Sequence, residues 1–402
     1  MTIEEKFAKL GVDNAPGQEV RQSNDGAALI GEPISGVRVD FSHGDVNAFP
    51  PIPGSIEAFD AGYRVGAAQA YTEYRGKLSL REELAAKLSD FTGAPVAADR
   101  ELIVTPGTQG ALFLAMGANI ARGDKVAIVE PDYFANRKLV TFFDGELVPI
   151  PMDYFGAQEG SGLDLEALET AFQNGVKLFL FSNPNNPTGA VYTREELTTI
   201  GTLANRYGVK VICDELYSRQ IFDGRPFTHL RSMGLMDPDD LITIMGPSKT
   251  ESVSGFRLGA AFGSPTMIQR MEKLQAIVSL RAAGYCQAVL SCWFSEPEGW
   301  MAERVVAHQA IRDDMVSGFR SIPGCVVRPT EGGSYLFPKL PPLKVSLKQF
   351  VTALRVQAKV IVTPGTEFGP YPDSIRINFS QNHQAAVDAV ARIAQMVERY
   401  RA

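Results

Sequence analysis

The sequence predicts an α/β protein: a large domain with a mostly parallel sheet between helices, followed by a smaller α+β domain. Three observations carry this. From about residue 101 short apolar runs alternate with helical patterns. Those runs do not alternate apolar with polar residues, so they read as strands buried on both faces. After about residue 299 the alternation gives way to a long helix, short strands and a closing helix. At 402 residues the chain has room for two or three domains and can bury a large core without disulfides.

The strand candidates, in order, are 101–105, 125–129, 146–150, 176–182, 209–213, 241–245 and 257–262. Helices open near Gly107 and Tyr133 and cover 163–173 and 194–207. Strands separated by helices predict parallel pairing. The second domain reads as a helix over 301–321 that stops at Pro323–Gly324, extended segments at 325–328 and 333–340, a helix over 346–359, a strand at 375–379 and a helix over 384–401. The first 45 residues read as an irregular arm with one short helix, joined through the Pro-rich run 49–54. The expected division is 1–50 as N-terminal arm and small-domain segment, 51–295 as the large domain and 296–402 as the small domain.

Composition narrows the function. Lys and Arg total 39 against 46 Asp and Glu, a net charge of −7, which argues against a nucleic-acid partner. An apolar share of 45% with 21% charged residues is that of an ordinary globular protein. Cys213, Cys286, Cys292 and Cys325 lack C-x-x-C spacing, and the four histidines, His43, His229, His308 and His383, are scattered, so no metal site is expected. With no signal peptide and no long apolar stretch, the expected location is the cytoplasm, without membrane association.

Ligands of open parallel sheets sit beyond the C-terminal strand ends, so the loops there are where chemistry is sought. The first, Thr105-Pro-Gly-Thr-Gln-Gly-Ala111, opens a helix. The amides of Gly107, Thr108 and Gln109 would face outward as an anion site, most naturally for a phosphate, though an ordinary capped turn reads the same way. The second, Ser182-Asn-Pro-Asn-Asn-Pro-Thr-Gly-Ala190, forces a rigid turn that leaves the Asn186 amide at a strand end. The third, Cys213-Asp-Glu-Leu-Tyr-Ser218, puts Asp214 where an apolar strand stops; it is a helix N-cap or the partner of a cation, with Tyr217 three residues on. In the fourth, Lys249 follows a buried strand in a Gly/Pro/Ser-rich turn and Arg257 follows eight residues later. Such a lysine is commonly a solvated loop residue; held in a desolvated pocket near cations, it becomes a nucleophile for carbonyls.

Together these segments resemble the class I/II aminotransferases of the fold-type-I pyridoxal-phosphate enzymes, the aspartate aminotransferase-like family. The resemblance covers nearly the whole chain: NPNNPTG, DELYS and SK followed by G-x-R-x-G stand in family order with family-like spacing. It implies that Lys249 holds pyridoxal 5'-phosphate as an internal aldimine and shuttles the proton. Asp214 would pair with the ring nitrogen, and Asn186 and Tyr217 would bond the ring 3-oxygen. Gly107, Thr108, Gln109, Ser248 and Arg257 would take the phosphate, and Tyr133 would stack on the ring. Tyr71, with Tyr74 as rival, would reach the phosphate across a homodimer interface. Arg376, in IRINFS, would clamp the substrate α-carboxylate, and Gly44, in FSHGD, would approach the substrate. Arg281 is a candidate for a distal substrate carboxylate across the dimer, or a structural ion pair.

The implied reaction moves an amino group from an L-α-amino acid to a 2-oxo acid. The same scaffold also supports lyase, decarboxylase, cyclase and oxidase chemistry on amino acids. A regulator carrying an aminotransferase-like domain would need an N-terminal winged helix, and no basic recognition helix is legible before residue 100. Two positions depart from the family pattern. Gly246 stands where many relatives carry Ser or Thr, and Glu251 stands where the residue is more often small, apolar or aromatic. Glu251 reads as a cap of its turn.

Overall fold

The computed structural model describes residues 2–11, 31–157 and 159–402. Most of the predicted arm, residues 12–30, lies outside the described residues. The short arm helix is Ile3–Leu10, closed by a capping box between Thr2 and Glu5.

The central sheet has seven strands: β1 (Leu102–Pro106), β2 (Lys125–Glu130), β3 (Glu146–Pro151), β4 (Val176–Ser182), β5 (Lys210–Asp214), β6 (Leu241–Met245) and β7 (Leu258–Gly263). Their order is β1-β7-β6-β5-β4-β2-β3. All pairs are parallel except the two made by β7, which runs against both β1 and β6. The sheet is thus mostly parallel, and β7 enters at the edge where the other strands end. β6 is buried at every position and β4 at all but Lys177, as continuous apolar runs between helical layers require.

The register explains why the loops converge. Ser182 pairs with Asp214, and Asp214 with Ile244, so three adjacent strands end level with one another. The helix Gly107–Gly117 follows β1 at once, and Arg257 immediately precedes β7. Helix Arg194–Tyr207 carries a Thr193/Glu196 capping box and ends at Gly208 in the left-handed conformation, as the sequence signals suggest.

The C-terminal part contains a three-stranded antiparallel sheet of Thr363–Pro364, Ile375–Asn378 and Tyr335–Leu336. Helices Trp300–Arg320, Leu347–Gln357 and His383–Tyr400 contribute to the same core. Val39 and Phe41 join that core, and Val39–Asp40 pairs in parallel with Val360–Ile361. The segment at 325–328 makes an isolated bridge, Val326 with Lys339. Helices Ser55–Val65 and Leu78–Thr92 precede the region where the sequence pattern becomes regular. Neither has a side-chain N-cap, which removes the usual start signal.

Candidate active site

A cavity of about 260 Å³ opens at the C-terminal edge of the sheet. Ten residues singled out from the sequence line it: Thr108, Gln109, Tyr133, Asn186, Asp214, Tyr217, Ser248, Lys249, Arg257 and Arg376. A second cavity of about 740 Å³ adjoins it and shares Ser248 and Lys249; Gly44 lines this one.

At one end, the helix that starts at Gly107 has no side-chain cap, so its first amides are open to an anion. The Arg257 guanidinium lies so close to Gly107 that a Cβ there would meet Nη2 at 2.6 Å. Gly259 lets this edge close up: a Cβ on it would stand 2.5 Å from the Gly107 carbonyl carbon and the Thr108 nitrogen. Gly246 has a similar explanation, since its Cβ would come within 2.8 Å of Thr108 Cγ2. The departure from Ser or Thr at 246 therefore accompanies a close approach of two loops.

Asp214 is buried at the end of β5, and its Oδ1 accepts from the Leu216 amide at 3.1 Å. Burial pushes its carboxyl up to about 7, Leu216 opposing and the nearby Glu215 adding to the rise. No cation lies within 4.0 Å of it among the described residues, so the site offers a carboxylate in want of a positive partner.

Arg376, 3% exposed, sits on the strand Ile375–Asn378 and faces the same cavity. Its Nη1 donates to Asn186 Oδ1 at 3.1 Å and its Nη2 to the Ser42 carbonyl at 3.2 Å. Among the described residues its Nε has no partner and it makes no ion pair. The guanidinium lies 4.5 Å from the Tyr335 ring centroid and 4.8 Å from that of Phe368, which fix its plane. A buried planar cation held by neutral groups is a receptor for a carboxylate.

Tyr217 donates to the Tyr335 hydroxyl at 2.8 Å. Burial raises the Tyr217 phenol well above its ordinary value. Burial also opposes ionisation of Tyr335, but Arg376, Lys249 and the bond from Tyr217 outweigh it and bring that phenol below its usual range. Tyr335 was not among the sequence candidates; a tyrosine in a short apolar strand carries no spacing signal. Asp132 was also missed, although it follows an apolar strand much as Asp214 does. It is fully buried beside Tyr133.

Two candidates lie apart from this cavity. Tyr71 is 80% exposed, and the Arg281 guanidinium sits 5.6 Å from the ring centroids of both Tyr71 and Tyr74. Glu251 is not a simple cap. It is fully buried, pairs with Arg219 and accepts from Thr250. Arg219 also pairs with Glu296 and lies 4.2 Å from the Phe294 ring centroid. Burial raises the Glu251 carboxyl and Arg219 opposes the rise. Arg219→Ala would strand a buried charge and is expected to destabilise the protein by about 3–5 kcal/mol, measured by urea unfolding.

The mostly parallel sheet, with a lysine and an acid at its C-terminal edge, has the arrangement expected from the resemblance to the fold-type-I pyridoxal-phosphate enzymes. The chain belongs to the aminotransferase class I and II family, whose model matches residues 42–393. It is 29% identical to the putative aminotransferase YugH of Bacillus subtilis, over 86% of this chain and 87% of that one. It is 27% identical to the aspartate aminotransferase of Sulfolobus acidocaldarius, over 83% and 84%. The crystal structure of an aspartate aminotransferase from Rhodobacter sphaeroides superposes with a TM-score of 0.95 at 58% identity, covering 100% of both chains. The protein is a pyridoxal-phosphate-dependent aminotransferase. Among the described residues no group of His, Cys, Asp and Glu could hold a metal, and no helix is long and apolar enough to cross a membrane.

The cavity fits pyridoxal phosphate. Uncapped amides and Arg257 suit a phosphate, and Asp214 suits a protonated ring nitrogen.

Proposed function

We propose that Lys249 is the amine that bonds the cofactor and carries the reacting proton, and that a dicarboxylic amino acid such as aspartate is the donor. The observation that carries the reading of an α-amino acid handled by Lys249 is the buried Arg376, without an acid partner among the described residues, facing a cavity that also presents Lys249 and Asp214. The 58% identity to a structure described as an aspartate aminotransferase supports the choice of donor.

Pyridoxal phosphate, when bound, supplies the electron sink for breaking the bond to the α-hydrogen. The chain's own groups do the rest. Gly107, Thr108, Gln109, Ser248 and Arg257 hold the phosphate. Asp214 accepts from the protonated ring nitrogen and keeps it charged. Asn186 and Tyr217 would bond the ring 3-oxygen, and Tyr133 would stack on the ring. Arg376 takes the substrate α-carboxylate in a two-bond fork, which fixes the α-carbon relative to Lys249. Lys249 Nζ then removes the proton from that carbon. Gly44 borders the adjoining cavity, which would receive the substrate side chain.

The enzyme is further proposed to be a cytoplasmic homodimer. Ile56, Tyr63, Tyr71, Ile277 and Leu280 are each at least half exposed in the single chain, an apolar surface suited to a second copy. Tyr71 and Arg281 would then serve the partner's cavity. Arg281→Ala is expected to weaken kcat/KM for aspartate by about 1.5–3 kcal/mol while leaving alanine nearly unchanged. Steady-state kinetics with both donors test this; equal losses would leave Arg281 a structural role, and a wild-type enzyme that ignores dicarboxylates would refute the proposed donor.

A further inference from the structure

Asp132 is fully buried, and among the described residues it has no cation within 4.0 Å. A buried carboxylate without a counter-charge is costly, so its retention calls for a physical account. Its hydrogen bonds supply one. Oδ1 accepts from the Tyr133 amide at 2.7 Å and from Ser182 Oγ at 2.5 Å. Because the Ser182 hydroxyl proton is committed to Asp132, its lone pairs face the backbone N–H of Asn186, which donates to it at 3.2 Å. Asn186 Oδ1 in turn accepts from Arg376 Nη1 at 3.1 Å. A parallel tie, Asn185 Nδ2 to the Pro131 carbonyl at 3.2 Å, holds the same two loops together.

We propose that Asp132 is a positioning residue for amino transfer: through Ser182 it sets Asn186 against Arg376, and through the adjoining amide it sets Tyr133 as the wall of the cavity. The proposal rests on the reading of Asn186, Arg376 and Tyr133 given above. One buried acceptor thereby links the group that meets the substrate carboxylate to the ring that covers the cofactor. Its two branches are separable, since Ser182 serves only the first.

The test uses three variants and two readouts, the KM of the amino donor and the dissociation constant of pyridoxal phosphate from the apo-enzyme by equilibrium dialysis. Asp132→Ala is expected to lower kcat/KM on the order of 10²-fold and to weaken cofactor binding, because both branches are released. Ser182→Ala is expected to raise KM roughly tenfold and to move the dialysis constant far less. Asp132→Asn keeps an acceptor for Tyr133 and Ser182. Its new amide can donate to Asn136 Oδ1, which has no partner among the described residues, once the Asn136 side chain has turned. Asp132→Asn should therefore restore both readouts to within about threefold of wild type. If Asp132→Ala fails to fold, the other two variants still decide.

A Ser182→Ala enzyme with wild-type KM, or an Asp132→Asn enzyme impaired more than about tenfold in either readout, would overturn the proposal. Asn186→Ala separates the two levels. If it leaves KM unchanged, the reading of the site itself fails; if it raises KM and Ser182→Ala does not, only the role of Asp132 fails.

Discussion

Replacing Lys249 by alanine is expected to reduce amino transfer by at least on the order of 10⁴-fold, because the cavity loses both its nucleophile and its proton carrier. Among the described residues, Lys249 is the one lysine lining either cavity at this edge of the sheet. The variant should fold normally, since the side chain makes no ion pair among the described residues. Stopped-flow mixing with the amino donor would show whether a slow half-reaction survives. Partial rescue by an added small primary amine would identify the missing function as an amine rather than a packing element.

Asp214→Asn should give the second largest effect, a loss on the order of 10²–10³-fold in kcat, or about 3–4 kcal/mol for a lost preorganised charge. The pH dependence has a defined sign. Burial raises Asp214 to about 7, so in the free protein the carboxyl is mostly neutral below that pH and mostly ionised above it. Only the ionised form can accept a cationic ring nitrogen. Cofactor affinity should therefore weaken as pH falls through about 7, and asparagine at 214 should remove that component. Equilibrium dialysis over this range measures both. An Asp214→Asn enzyme with an unaltered pH profile of binding would assign the titration to another group, Asp132 being the nearest alternative because burial also brings it to about 7.

Much of this architecture was legible in the chain. Apolar runs without polar alternation mark the central strands, and the expected boundaries at 176–182 and 241–245 coincide with Val176–Ser182 and Leu241–Met245. The loop residues were legible because each breaks a local rule: an acid ending an apolar strand, two Asn-Pro pairs in one turn, a lysine after a buried strand. What was not legible depends on distant partners. Glu251 finds Arg219 across 32 positions, and Val39 pairs with Val360 across the length of the protein. No local pattern encodes either contact. Tyr335 was hidden for the same reason, since its importance comes from Tyr217 and Arg376 closing around it. Asp132 did carry a signal, an acid at a strand end, but the neighbouring tyrosine drew the functional reading instead.

The central claim is that Lys249 is the amine to which pyridoxal phosphate bonds. Borohydride reduction of the holoenzyme, followed by proteolysis and mass mapping, tests it directly. The account predicts one cofactor adduct per chain, on the peptide containing Ser248, Lys249 and Thr250, lost when the donor amino acid is added before the borohydride. An adduct on any other lysine, at full occupancy and with the enzyme active, would contradict it.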